Sequence, residues 1–227
     1  MMETRGSSDG LAAPSLDSSI DGVHADIERY YTQKVLTHGA TAHGVDWTCQ
    51  PTQELRFVQL LKLCNFRQAF TLNDIGCGYG ALLAFLAKRH RHANVDYLGT
   101  DLSRAMIDRV KPPRRSMGRS QFIVTSDIPR VADYSVASGI FNVKLMQPAD
   151  QWDLFIKSTM AKMNAASRLG FAVNFLVPPE PDMQAIPELY HSSPETWVRY
   201  CENQFGTKVE LLEQYGMREF TLLVRKP

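Results

Sequence analysis

The apolar positions of the chain alternate between helical and strand periods, and that alternation predicts its elements in order. From Gly22 the pattern is helical, with Ile27, Tyr30, Tyr31, Lys34 and Val35 on one side and an end near His38-Gly39, where a glycine suits a helix C-terminus. A loop over 40–50 leads to Pro51, placed where a first helical residue tolerates a missing N–H. Leu55, Val58 and Leu61 then recur at helical spacing to about Cys64. Strands are predicted at 69–74, 95–99, 121–124, 134–140 and 170–176. Between them fall helices at 82–89, from Ser103 to about Val110 before Pro112-Pro113, and at 152–165. After a further helix at 194–205, strands at 208–213 and 219–225 flank Tyr215-Gly216 closely enough for an antiparallel hairpin. The alternation implies an α/β fold, a parallel sheet covered by helices on both faces.

Composition narrows the class. The 227 residues and 44% apolar content suit one well-buried domain. Residues 1–20, rich in Ser, Gly, Asp and Ala, are expected to form a disordered tail, 21–68 a helical cap or lid, and 69–227 the α/β core. Lys and Arg total 25 against 24 Asp and Glu, so no overall field gathers nucleic acid or an anionic membrane. The basic run at 88–92 and Arg104, Arg109, Lys111, Arg114, Arg115 and Arg119 read as solvated helix ends and loops. Four separated cysteines without a C-x-x-C pair argue against a zinc ribbon or a disulfide framework and fit a reducing compartment. No apolar run approaches the ~20 residues that cross a bilayer, and the start is too polar for a secretory signal, so a cytoplasmic location is expected.

In open parallel sheets ligands bind beyond the carboxyl ends of the strands. Here those ends read Asp74-Ile75-Gly76-Cys77-Gly78-Tyr79-Gly80, Asp101-Leu102-Ser103, Ser126-Asp127-Ile128 and Ser138-Gly139-Ile140-Phe141-Asn142. Glycines in the first loop permit close approach of a ligand, and the helix N-terminus behind it favours a negative group. The Asp74 carboxylate suits a positively charged end, and Asp101 can accept both hydroxyls of a ribose. A dinucleotide fingerprint is G-x-G-x-x-G; this loop is G-x-G-x-G with an acid two residues before its first glycine, which would repel a pyrophosphate.

The run 74–80, Asp101, Ser126-Asp127 and the closing hairpin together resemble the class I S-adenosylmethionine-dependent methyltransferase superfamily, in its bacterial small-molecule form, over about 69–226. The resemblance implies a Rossmann-like sheet of seven strands with one antiparallel strand, and S-adenosylmethionine as cofactor. It implies that Asp74, Gly76, Cys77, Gly78, Gly80, Asp101, Leu102, Met106, Ser126, Asp127 and Ser138 surround that cofactor, with adenine near Leu102, Met106 and Ser126-Asp127. The methyl group would face the ends of the fourth and fifth strands. The stretch from Glu28 through Gly39 to Trp47 also resembles the N-terminal cap of some small-molecule members.

Methyl transfer is an in-line displacement at a carbon already activated by positive sulfur, so the protein positions the nucleophile and excludes water, with no metal required. Candidates for the chemistry are Asn142, Tyr31 and Tyr190; candidates for holding the substrate are Tyr30, Trp47, Lys144 and Asn174. Lys144 reads equally well as a solvated lysine, and Asn174 as a buried polar group satisfied by a neighbour. His38, His43 and His191 are general-base candidates that also read as loop histidines. The leading expectation is methyl transfer to oxygen or nitrogen of a small metabolite, by a protein without nucleic-acid or membrane partners and compatible with a homodimer. One alternative is intramolecular cyclisation of the cofactor, with release of methylthioadenosine and a product such as azetidine-2-carboxylate. The other is cofactor binding without catalysis. Glycines 39 and 44 are expected to act as joints of the cap.

Overall fold

A computed structural model describes residues 16–112 and 118–227, with side chains from Ile20 onward. The helices are α1 (Leu16–His38), α2 (Gln50–Leu60), α3 (Ala81–Arg89), α4 (Arg104–Ile107), α5 (Ala149–Ala165) and α6 (Pro194–Phe205). The strands are β1 (Phe70–Ile75), β2 (Val95–Asp101), β3 (Ser120–Val124), β4 (Ala132–Ala137), β5 (Ser167–Leu176), β6 (Lys208–Leu212) and β7 (Glu219–Arg225). They form one seven-stranded sheet in the order β3-β2-β1-β4-β5-β7-β6, parallel except for β7, which runs antiparallel to both neighbours. The order reverses between β1 and β4, and a cleft opens there at the carboxyl ends of the strands.

Strand period sorts the side chains onto two faces. Phe171, Val173 and Phe175 of β5, with Phe220, Leu222 and Val224 of β7, pack against Trp152, Ile156 and Met160 of α5 and Trp197 of α6. Ala172 and Leu223 point the other way, into a second cluster with Leu72 of β1, Phe57 and Leu60 of α2 and Leu82 and Phe85 of α3. The predicted α2 thus docks on one face, while α1 sends Val23 into the cluster on the other.

Three boundaries differ from expectation. Helix α1 begins at Leu16, so 16–20 of the expected tail are helical, while 1–15 lie outside the described residues. Helix α4 spans only Arg104–Ile107, and tighter turns at Arg109 and Val110 close it; Pro113, Arg114 and Arg115 lie outside the described residues. Strand β4 stops at Ala137 because Gly139 takes φ 75° and turns the chain out of the sheet.

Candidate active site

The glycine loop after β1 is shaped by left-handed backbone at Gly76, Gly78 and Gly80, with φ of 70°, 54° and 81°. The amides of Gly76 and Cys77 donate to the carbonyl of Thr100 at 2.8 and 2.9 Å, tying the loop to the end of β2. Asp101, at that end, accepts from the amides of Gly78 and Ser103, each at 2.8 Å and each on a different carboxylate oxygen. Both oxygens keep a lone pair for a further donor. Burial holds the Asp101 carboxyl above the usual carboxylate range, against the pull of these backbone bonds. Asp74 is buried beneath the loop and accepts from the Tyr97 hydroxyl; burial pushes its carboxyl up to about 7.

These groups line a narrow cleft together with Leu102, Met106, Thr125, Ser126 and Ser138. The Ser138 hydroxyl is buried there without a partner. Helix α1 closes the cleft with His24, Ile27, Glu28 and Tyr31. It is fastened to the rim, because the Thr32 hydroxyl donates to Glu28 at 2.8 Å and lies 2.6 Å from the hydroxyl of Ser103, the N-cap of α4.

A second cavity of about 480 Å³ adjoins the first, and the two share Tyr31, Val45, Trp47 and Gly139 as common wall. Asn142 lines this second cavity, 3% exposed, with both amide atoms unpartnered. The position of Trp47 is set by a closed circuit of contacts. The Arg56 guanidinium lies over its ring and pairs with buried Glu219. Glu219 accepts from Asn174 at 3.0 Å, and Asn174 accepts from the Gly139 amide at 2.8 Å. Gly139 faces the indole so closely that a Cβ there would overlap it.

Of the expected cofactor residues, Asp74, Gly76, Cys77, Gly78, Asp101, Leu102, Met106, Ser126 and Ser138 line the first cleft. Gly80 stands behind it as the N-cap of α3, facing Val110 and Phe122. Asp127 is exposed and paired with Lys162 at 2.8 Å, outside the cleft. Tyr30, Tyr31, Trp47 and Asn142 meet at the second cavity. Three other candidates do not line either cavity. Tyr190 donates to Asp153 at 2.7 Å and packs near Trp197; Lys144 reaches the carbonyls of Leu145 and Gln147; Asn174 is consumed in the circuit above. His38, His43 and His191 also stand away from both. Gly44 packs so closely on the Gly39 carbonyl that a Cβ there would collide with it. Sequence reasoning missed Arg56, Glu219 and Asp46, which lie far from the glycine motif and carry no pattern of their own.

No family model matches the chain. A protein of Mycobacterium tuberculosis, Rv1506c, described as a methyltransferase, is 39% identical over 166 residues, covering 73% of this chain and 99% of the relative. Among solved structures, the DhpI complex with S-adenosylhomocysteine superposes with a TM-score of 0.58 at 13% identity, over 90% of this chain and 97% of that one. The magnesium protoporphyrin IX methyltransferase of Synechocystis PCC 6803, with bound S-adenosylhomocysteine, gives 0.51 at 11% identity, over 97% and 90%. Likenesses this remote speak for the fold; with the mycobacterial relative and the glycine-loop geometry, they establish that the chain belongs to the class I S-adenosylmethionine-dependent methyltransferase superfamily.

Proposed function

We propose that the protein transfers the methyl group of S-adenosylmethionine to an oxygen or nitrogen of a small-molecule acceptor. The observation that carries this is the pair of cavities meeting at Tyr31, Val45, Trp47 and Gly139. The residues of the first cleft fit the cofactor. The glycine loop leaves room for a ligand backbone, Ser138 offers a buried hydroxyl without a partner, and Asp101 keeps free lone pairs for ribose hydroxyls. Asp74, Gly76, Cys77 and Gly78 would hold the amino-acid end, and Leu102, Met106 and Ser126 the adenine. When bound, S-adenosylmethionine supplies a methyl carbon activated by positive sulfur.

The chain's own part is positioning and exclusion of water. Tyr31 and Trp47 place aromatic rings at the common wall, and a positive centre over the face of such a ring gains about 0.5–2 kcal/mol per contact. Helix α1 covers the cleft with Ile27 and Tyr31. Cyclisation of the cofactor would call for a closed pocket with no room for a second reactant. A cavity of about 480 Å³ next door, within the usual range of small-ligand sites, argues against it.

The test is incubation of pure protein with S-adenosylmethionine, alone and with candidate acceptors, followed by mass spectrometry. Acceptor-dependent S-adenosylhomocysteine is expected. Methylthioadenosine formed without an acceptor would replace this reading with cyclisation.

A further inference from the structure

We propose that the second cavity takes an uncharged hydroxyl compound as acceptor, with Asp46 as the catalytic base and Asn142 as the group that orients the hydroxyl. This rests on the reading of that cavity as the acceptor site.

Asp46 follows a short 3-10 turn, Ala42–Val45, and holds left-handed backbone with φ 60°, uncommon for a residue other than glycine. Its Oδ1 pairs with Lys34 at 2.6 Å, which fixes the carboxylate, and the Tyr30 hydroxyl also faces that carboxylate, while Oδ2 is buried in the cavity wall without a hydrogen bond of its own. Asn142 leaves a buried donor and a buried acceptor unmatched in the same cavity. Buried polar groups in native proteins find partners, so three such atoms around one space point to a ligand that supplies them. A hydroxyl both donates and accepts: it can give its proton to Asp46 Oδ2 and take a bond from Asn142 Nδ2. Asn142 Oδ1 then remains for a second donor on the same ligand.

Charge selects the same class. On the helices around Asp46, the charged and titratable groups that face it or line its cavity are Lys34, Tyr30 and Tyr31 from α1 and Arg56 from α2. Lys34 is paired with Asp46, and Arg56 with Glu219. Glu188, also in the lining, is exposed. Among the described residues, a fully charged acceptor therefore finds no buried counter-ion outside an existing ion pair. Burial, reinforced by Asp46, raises both tyrosine hydroxyls above their ordinary range, so they stay protonated and leave the carboxylate as the proton acceptor.

The acceptor's O–H bond breaks and its proton passes to Asp46 Oδ2. The electron pair left on oxygen forms the new bond to the methyl carbon supplied by S-adenosylmethionine, and the old carbon–sulfur pair stays on sulfur. Asp46 returns the proton to water as product leaves.

The experiment titrates phenol, catechol, benzylamine and benzoate into the full chain saturated with S-adenosylhomocysteine, followed by calorimetry and saturation-transfer NMR. Phenol and catechol are expected to bind at least about tenfold more tightly than the charged probes. Asp46→Asn, which suits left-handed backbone, and Asn142→Ala should each cost about tenfold or more in catechol affinity with S-adenosylhomocysteine affinity unchanged. Preference for a charged probe, binding of none, or variants that bind catechol like the parent would overturn the proposal. Absence of S-adenosylhomocysteine binding would instead overturn the cofactor reading, and this proposal with it. With S-adenosylmethionine, catechol should be methylated, and Asp46→Asn should slow the transfer at least about 100-fold at neutral pH, less so as rising pH ionises the catechol itself. No methylation, or an equal loss at every pH, overturns the assignment of the base.

Discussion

The Arg56 guanidinium lies 3.5 Å from the centroid of the Trp47 ring. Arg56 belongs to α2, while its ion partner Glu219 opens β7. The indole that divides the two cavities is thus held by a residue from the opposite end of the chain, through a charge pair of which both members are nearly inaccessible.

Removing one member of that pair strands the other. Glu219→Ala should lower stability by about 3–5 kcal/mol, because Arg56 would remain buried without its counter-ion. The double variant Arg56→Met, Glu219→Leu should recover much of that loss while leaving Trp47 without the guanidinium. Denaturant titration checks both, and additive losses in the double variant would mean the pair is not the reason for the destabilisation.

Gly139→Ala should disturb the common wall directly. A methyl group there overlaps the indole, and the φ of 75° adds backbone strain of about 1 kcal/mol or more. The expected outcome is a changed Trp47 emission and a large fall in acceptor turnover, with S-adenosylhomocysteine affinity reduced far less. Unchanged emission and turnover would show that Trp47 moves aside without consequence.

Asp101→Asn should weaken S-adenosylhomocysteine binding by about 1.5–3 kcal/mol, through loss of charge-assisted bonds to ribose hydroxyls. Isothermal calorimetry reads this directly, and unaltered affinity would remove Asp101 from the site.

Asp74 makes the protein's stability depend on pH in a predictable direction. Its folded carboxyl titrates at about 7 against an ordinary value of 3.8, so folding takes up a proton between those limits. The contribution is complete below about pH 4 and is lost as pH rises through about 7, with a slope near 1.4 kcal/mol per pH unit between. Relative to Asp74→Asn, the parent should therefore lose stability across this window and level off above it. Binding of a cationic amino-acid end should drive the proton off. Calorimetry near pH 6.5 in two buffers of different ionisation enthalpy should detect that release in the parent and none in Asp74→Asn.

Hydrogen exchange across 24–47 should slow on addition of S-adenosylhomocysteine, since α1 lines the cleft from above. Equal exchange with and without ligand would reduce α1 to a packing element.

The sequence by itself determined the α/β architecture and the cleft. Strand period, glycine loop and the acids after β1 and β2 are local patterns, and each is set by neighbours within a few residues. Gly76, Gly78 and Asp101 are legible because backbone shape and strand ends dictate them. Boundaries at β4 and α4 shifted where a single turn, at Gly139 or after Ile107, outweighed propensity. The second cavity was only partly legible, through Tyr30, Tyr31, Trp47 and Asn142. Tyr190 follows β5 and Asn174 lies within it, and tertiary partners, Asp153 for one and Gly139 with Glu219 for the other, claim their polar groups. Arg56 and Glu219 stand 163 residues apart, and Asp46 gains its meaning from Lys34 and from a cavity that exists only once the cap has docked. Such pairings carry no periodic trace in the chain, because burial and the need to satisfy buried charge act between surfaces that only the folded sheet brings together.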